Sequence, residues 1–213
     1  MSLSVALAVH NEEKNIKRCL EAVYDWVFEI VVVDGQSTDK TVEIIKSLDT
    51  EGKVKLFHEP HEEMFHKNKQ KAIEKCTGDW ILQLDADEIV TTELQTEIRS
   101  VVNSNNQNPS SKQILNAKSQ NTKYEILNTM QPKVAYWIPR LNYFLGKHLK
   151  KGGQYPDYTI RLYKNGVAKF TCKSVHEQVE IAKPSAHNDT FIGYLKSDLL
   201  HYTYPTFKEY LDK

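Results

Sequence analysis

Four short β-rich apolar runs, each closed by polar or acidic residues and each followed by apolar residues at helical spacing, restrict this chain to one broad class of fold. The first, Leu3 to Val9, stops at Asn11-Glu12-Glu13, where Asn11 suits a helix cap and the acids suit a first turn. Ile16, Cys19, Leu20 and Val23 then recur along one helical face. Glu29 to Val33 repeats the unit, ending in Asp34-Gly35-Gln36-Ser37-Thr38-Asp39 ahead of Val42, Ile45 and Leu48. Val54 to Phe57 is the third run, followed by the polar segment Glu59 to Lys71 and a short helix with Ala72, Ile73 and Cys76 on one face. The fourth, Gly78-Asp79-Trp80-Ile81-Leu82-Gln83-Leu84, opens into Asp85-Ala86-Asp87-Glu88. Strands alternating with helices predict an α/β fold built on right-handed crossovers and a mainly parallel sheet. Parallel strands share one carboxyl edge, where open α/β sheets take their ligands, so Asn11, Glu12, Asp34, Asp85 and Asp87 are expected to converge.

The rest of the chain reads differently. After a helix carrying Leu94, Ile98 and Val101, the composition shifts to an exposed Asn/Ser loop from Asn103 to Ser111, and Gln113 to Gln131 is expected to be partly helical. Val134 to Pro139 reads as a strand, and Ile160 to Lys164, joined through Asn165-Gly166 to Val167 to Phe170, carries a two-residue hairpin signal. The second half is thus more antiparallel than the first. We expect one domain over 1–213, with a ligand-binding half at 1–103 and a partner-substrate half at 104–213.

Charge and cysteine usage exclude several functions. Lys+Arg and Asp+Glu both number 28, so no global basic field draws nucleic acid or an anionic bilayer. The three cysteines are widely spaced and unpaired by any metal-ligand pattern, which fits free thiols in a reducing compartment. Apolar runs such as Ile30 to Val33 are far short of a membrane span, and a signal-peptide pattern is missing from the N-terminus. A cytoplasmic location is expected, with membrane contact at most peripheral, at the inner face of the cytoplasmic membrane. Asp85 and Asp87, two residues apart past a strand end, can reach one hard divalent cation whose shell substrate phosphates complete. The plainer alternative is a solvated cap ahead of the helix starting near Thr91.

Three stretches resemble the family 2 glycosyltransferases, whose fold is called GT-A. Val5 to Glu13 is similar to the family's opening strand and Asn-Glu pair, Ile30 to Asp39 to its second strand and Asp-x-x-Ser-x-Asp turn, and Gly78 to Glu88 to its metal-binding signature. Gly152 to Asp157, Arg161-Leu162-Tyr163 and Val175-His176-Glu177 are more narrowly similar to the bacterial lipopolysaccharide-core β-1,4-glucosyltransferase branch. The resemblance implies a nucleotide-sugar donor, usually a UDP-sugar, a Mg or Mn ion, transfer with inversion, and a glycan or lipid-linked saccharide acceptor. It implies further that Val9, Asn11, Glu12, Asp34, Lys67, Asp85 and Ala86 hold the donor, with Asp34 at the uracil or ribose. Asp85, Asp87 and His201 would hold the metal, Asp85 nearer the ribose or a metal-bound water. Glu177 is the first choice for the base and Asp157 the second.

Each residue also has a local reading. Lys67, Lys69 and Lys71 alternate as a solvated face does, Arg161 suits a structural pair with Asp157, and Trp137, Tyr143 and Phe144 suit a core as well as a sugar ring. Rival enzyme classes fit less well. A haloacid dehalogenase-type phosphohydrolase places its Asp-x-Asp on the first strand, and a nucleotidyltransferase of related fold wants a Gly-rich phosphate loop where this chain has His10-Asn11-Glu12-Glu13. A nucleotide-sugar-binding protein without turnover is the non-enzyme alternative. Relatives in the glucosyltransferase branch continue beyond the point where this chain stops, at Lys213, so a minimal or a truncated enzyme is expected.

Overall fold

A computed structural model describes residues 1–62, 64–104, 133–173, 178–182, 191–204 and 207, with positions 104 and 204 described by backbone alone. The segment 113–131 and Glu177 lie outside the described residues. The first half runs β1 (Leu3–Val9), α1 (Ile16–Glu21), β2 (Glu29–Asp34), α2 (Thr41–Leu48), β3 (Val54–His58), α3 (His66–Glu74), β4 (Trp80–Leu84), β5 (Glu88–Val90) and α4 (Thr92–Ser104). The second half adds β6 (Ala135–Phe144), β7 (Lys147–His148), β8 (Asp157–Lys164), β9 (Ala168–Lys169), β10 (Glu180–Ile181), β11 (Ile192–Tyr194) and β12 (Leu199–Tyr204).

One sheet carries most of these strands, in the order β3-β2-β1-β4-β8-β6-β12-β5, with β7 and β11 attached to β6. The four strands β3, β2, β1 and β4 are mutually parallel. The chain moves outward from β1 to β3 and then crosses back to β4, so the strand order reverses beside β1 and opens a crevice past Val9 and Leu84. β8 joins antiparallel to β4 and to β6, so strands of both halves share the sheet.

Burial explains why these runs are strands without polar alternation. Every residue of β1, β2 and β4 is buried, as expected of strands covered on both faces. The period of two along each strand still sorts the faces: Val5, Leu7 and Val9 pack with Ile16, Leu20, Ile45, Leu94 and Ile98, whereas Ala6, Val31 and Ile81 pack with Ala72 and Ile73 of α3.

Three local expectations need correction. The hairpin turn at Asn165-Gly166 forms, but β9 leaves β8 and pairs with β10. The cause is that β8 already has β4 on one edge and β6 on the other, so no edge is left for a hairpin partner; the Asn165 amide, donating to the carbonyls of Cys76 and Gly78 at 3.1 and 3.0 Å, ties the turn to the foot of β4. Asn11 does not cap α1, which begins at Ile16; its side chain serves the neighbouring loop. The β6 strand runs past Pro139 to Phe144, because β8 and β12 pair with it on either side.

At the opposite, amino edge of the sheet, Glu29 is a buried fastener. Its carboxylate accepts from Ser4 Oγ at 2.6 Å, Lys55 Nζ at 2.5 Å and both the amide and hydroxyl of Thr77 at 2.5 and 2.9 Å. Burial works against the charge, but the Lys55, Ser4 and Thr77 bonds outweigh it and lower the Glu29 pKa to about 2. A depressed folded-state value means stability that is full above the unfolded value, near 4.5, and lost as pH falls towards 2. Urea unfolding between pH 6 and pH 2 should therefore show a loss of about 3 kcal/mol from this group. In Glu29→Gln that part of the slope should vanish; an unchanged acid slope would show that the fastener carries no such weight.

Candidate active site

Two loops at the carboxyl edge are stitched together by their own side chains. The Asn11 amide N–H donates to Ser37 Oγ at 2.9 Å, and Asn11 Oδ1 accepts from the Thr38 N–H at 2.8 Å. Glu12 donates its N–H to Thr41 Oγ1 at 2.7 Å, and the Gly35 N–H reaches the Val9 carbonyl at 2.8 Å. Asp34 takes the Ser37 N–H on both oxygens, at 3.2 and 3.3 Å, with His58 Nδ1 3.1 Å from its Oδ2. Left-handed backbone at Asn11 (φ 55°) and Gln36 (φ 61°) makes the two tight bends, and Asn tolerates that region better than most residues. Val9, Asn11, Glu12 and Asp34 are thus brought to one place.

The Asp-x-Asp turn follows β4, and its two carboxylates diverge around Ala86, which is buried. Asp85 turns inward. Its Oδ1 lies 2.6 Å from Lys69 Nζ, and its Oδ2 accepts from Arg161 Nη2 at 2.6 Å. Glu88 closes the turn: Oε2 accepts the Asp85 N–H at 3.0 Å, and Oε1 accepts from the same Arg161 nitrogen at 2.7 Å. Arg161 also donates to Gln83 Oε1. The register places Tyr136 opposite Leu162 and Trp137 opposite Ile160, so Arg161 is the extra residue of a β-bulge, re-aimed out of the ladder towards the turn. Side-chain exposure is 7% for Arg161, 9% for Lys69, 0% for Glu88 and 22% for Asp85, so two cations balance two carboxylates, with Asp85 the member that still reaches water. Burial alone would raise the Asp85 pKa, but Arg161 and Lys69 outweigh it and hold the group well below the usual carboxylate range. Burial likewise opposes the Arg161 charge, and Asp85 and Glu88 overcome it, so that pKa is raised.

Asp87 turns the other way, towards His201 on β12, whose Nε2 lies 3.4 Å from Asp87 Oδ2. A chain of polar groups fixes that imidazole. Asn142 Nδ2 donates to Asp157 Oδ2 at 3.0 Å, which leaves Asn142 Oδ1 facing His201 Nδ1 at 2.6 Å. An amide oxygen only accepts, so Nδ1 carries the proton and Nε2 is presented to Asp87. Asp157 is clamped in turn by Arg140 Nε and Nη2 at 3.0 and 2.7 Å. Burial pushes its pKa up, but Asn142 and Arg140 together with His201 outweigh that and lower it. All three described donors fall on Oδ2, leaving Oδ1 of this partly exposed side chain for another partner. Arg140 Nη1 stands 3.6 Å from Glu88 Oε1 and joins the two networks.

Between α3, β8 and the β9–β10 ribbon lies a polar cleft of about 250 Å³, lined by Lys69, Asp85, Arg140, Asp157, Arg161 and Gln178 among others. A larger hollow, about 450 Å³, lies at the amino edge around Met1, Trp26 and Phe28, away from these groups. Of the three alternate lysines, Lys69 reaches the turn, whereas Lys67 pairs with Glu62 at 3.0 Å and Lys71 with Glu59 at 3.2 Å on the outer side of α3. The expected Arg161–Asp157 pair is not formed; Arg161 goes to Asp85 and Glu88, and Asp157 to Arg140. Asn142 and Arg140 are not legible in the sequence, because Pro139 reads as the end of its strand. Glu88 could have been singled out as the third acid of its turn.

Asp87 and His201 offer a divalent cation one carboxylate and one imidazole, an acceptable pair for Mn or Mg, with imidazole inclining towards Mn. Asp85 is the less available carboxylate, since Lys69 and Arg161 each hold one of its oxygens and already neutralise its charge. Among the described residues no group of three or more His, Cys, Asp or Glu is placed to hold a metal.

The 3-2-1-4 parallel order, with an Asp-x-Asp turn at the reversal point facing an antiparallel half, defines a GT-A domain. The chain belongs to glycosyl transferase family 2, which matches residues 4–168. It is 41% identical over 98 residues to the TPR repeat-containing protein Synpcc7942_0270 of Synechococcus elongatus, covering 46% of this chain and 23% of that one. It is 37% identical over 100 residues to the SPbeta prophage-derived glycosyltransferase SunS of Bacillus subtilis, covering 47% of this chain and 23% of SunS. The matches therefore span under a quarter of either relative's length. Residues 1–349 of S. aureus TarS in complex with UDP share the fold, with a TM-score of 0.61 at 14% identity over 100% of this chain and 63% of that fragment.

The buried network predicts an asymmetric mutational response. Arg161→Met removes the cation that Asp85 and Glu88 share, leaving Lys69 on the first and only Arg140, at 3.6 Å, near the second, and should cost about 3 kcal/mol in urea unfolding. Adding Glu88→Gln should recover part of that loss, because one uncompensated carboxylate is removed. Additive losses in the double variant would show that the two side chains do not act as a unit.

Proposed function

We propose that this chain is an inverting, metal-dependent glycosyltransferase that moves a sugar from a UDP-sugar to a cell-envelope glycan, of the lipopolysaccharide-core kind. The observation that carries the reading is the pairing of Asp87 with a tautomer-fixed His201 at the strand-order reversal, while Asp85 is neutralised beside it. Family membership and the UDP held by TarS support the choice of donor. In this reading residues 1–103 hold the donor and 104–213 the acceptor.

Asp87 and His201 would hold a Mn or Mg ion, which when bound offsets the charge gathering on the departing diphosphate. The chain's own groups do the rest. Lys69 uses one ammonium donor on Asp85 and keeps others for a diphosphate oxygen in the cleft that it lines. Asp34 retains lone-pair capacity beyond its contacts with Ser37 and His58, enough to accept a uracil N–H or a ribose hydroxyl. Asp157, with Oδ1 open and its proton affinity lowered by Asn142 and Arg140, is better suited to orient the attacking hydroxyl than to take its proton. We assign the base to Glu177, which immediately precedes the cleft-lining Gln178. No helix among the described residues is long and apolar enough to cross a membrane, and a peripheral position on the cytoplasmic side remains part of the proposal.

Calorimetric titration with UDP, in Mn and in chelator, tests the donor site. Binding should require the metal and weaken by roughly tenfold or more in Asp87→Ala, the loss of one charge-assisted contact. Equal UDP affinity with and without metal, in a folded protein, would overturn the assignment. Glu177→Gln should keep UDP binding and lose transfer; a binder without turnover would show no change.

A further inference from the structure

Beside the cleft, three aromatic side chains share one face of the sheet and have no part in the chemistry above. Tyr194 of β11 pairs in register with Trp137 of β6, and Tyr158 of β8 stands opposite Pro139, two residues along from Trp137. The period-two alternation of strands therefore puts all three on the same face. Tyr194 stacks on the half-buried Trp137, with centroids 6.3 Å apart and planes 18° apart. It meets Tyr158 edge to face, at 5.2 Å and 86°. Two phenol rings at nearly a right angle make a corner, with the indole as its support. Both walls face water, since Tyr158 is 37% exposed and Tyr194 is 62% exposed. Tyr158 also lines the cleft, next in sequence to Asp157, so the corner is continuous with the place where the reacting hydroxyl would stand.

Size and chemistry select the occupant. A buried Tyr contributes about 150–250 Å², so the exposed parts of two offer on the order of 200 Å², far below the roughly 800 Å² per partner of a stable protein interface. A lipid chain would need a longer apolar track, and the cleft continues instead into Lys69, Arg140 and Asp157, which suit hydroxyl groups. A pyranose ring has both characters, an apolar C–H face and a rim of hydroxyls. The negative face of an aromatic ring attracts polarised C–H groups, and the phenol hydroxyls can bond the rim. We infer that Tyr158 and Tyr194 form an acceptor subsite for one pyranose ring, laid by its C–H face on Tyr194 and directed by Tyr158 towards Asp157. This rests on the reading of the cleft as the acceptor entrance of a glycosyltransferase.

The test is saturation-transfer NMR on the full chain, with methyl β-D-glucopyranoside, methyl β-D-galactopyranoside and methyl N-acetyl-β-D-glucosaminide as probes and cyclohexanol as the apolar control. UDP binding is measured on the same samples. At least one glycoside should receive transfer mainly at the protons of one ring face. Its affinity should fall roughly three- to tenfold in Tyr194→Ala and in Tyr158→Ala, and persist in Tyr194→Phe. UDP binding should be unchanged in all three variants. Glycoside signals equal in wild type and Tyr194→Ala, or absent throughout while UDP binds, would overturn the subsite and leave the donor reading standing. Cyclohexanol responding to the substitutions as the glycosides do would also overturn it, as an unselective apolar surface. Absence of UDP binding in the wild type would sink the donor reading, and the subsite with it. Because Tyr194 is largely solvent-facing, its variants should fold; matching circular dichroism spectra check that.

Discussion

A charge that has nowhere else to go organises this protein. Arg161 sits in a β-bulge, almost wholly out of water, and must be neutralised there; Asp85 and Glu88 are the acids that do it, helped by Gln83. Because Glu88 also holds the Asp85 N–H, satisfying the arginine closes the Asp-x-Asp turn on itself. The bulge lies on β8 and the turn follows β4, so the same contact registers the antiparallel half against the parallel half. A buried ion cluster is weak evidence for stability when weighed against apolar packing, but it is exacting about geometry. Here the geometry specified is that of the turn facing the crevice.

Committing Asp85 inward leaves Asp87 free to face His201. The path from Arg140 through Asp157 and Asn142 to His201 then works as a ruler, since each member is held by the one before and the last presents one ring nitrogen to Asp87. Asp157 of β8 and Asp87 of the turn after β4 are therefore not independent parts. A change at Asn142 would alter the orientation of His201 and the disposition of Asp157 together. This coupling gives a physical reason for a family 2 glycosyltransferase domain to build both sides of its cleft on one continuous sheet.

The parallel half was legible in the sequence because its physics is local. Strands buried on both faces read as unbroken β-branched runs, and helices that cover them read at helical spacing, so β1, β2 and α2 fall where Leu3, Glu29 and Val42 suggested, whereas α1 begins only at Ile16, beyond the Asn11-Glu12-Glu13 start. The convergence of Asn11, Asp34 and Asp85 followed from parallelism alone. What the sequence hid depends on register. Whether Arg161 pairs with Asp157 or with Asp85 turns on one extra residue in β8, and Asn142 became visible only once β6 was seen to continue between two partners. The Asn165-Gly166 turn was readable, but the strand after it cannot pair back on β8, because β4 and β6, distant in sequence, take both of that strand's edges. The stack of Tyr194 on Trp137 is hidden for the same reason, since it needs the parallel pairing of β11 with β6.

In the proposed enzyme the two aspartates divide the labour, Asp85 serving the buried arginine and Asp87 a divalent cation. Anomalous diffraction at the manganese edge, from crystals of this chain grown with UDP and Mn, measures this division directly. One manganese peak should lie in contact with an Asp87 oxygen and His201 Nε2, with Arg161 still on Asp85 and Glu88. A manganese ion bound directly by Asp85, with Arg161 drawn away from it, would contradict the account.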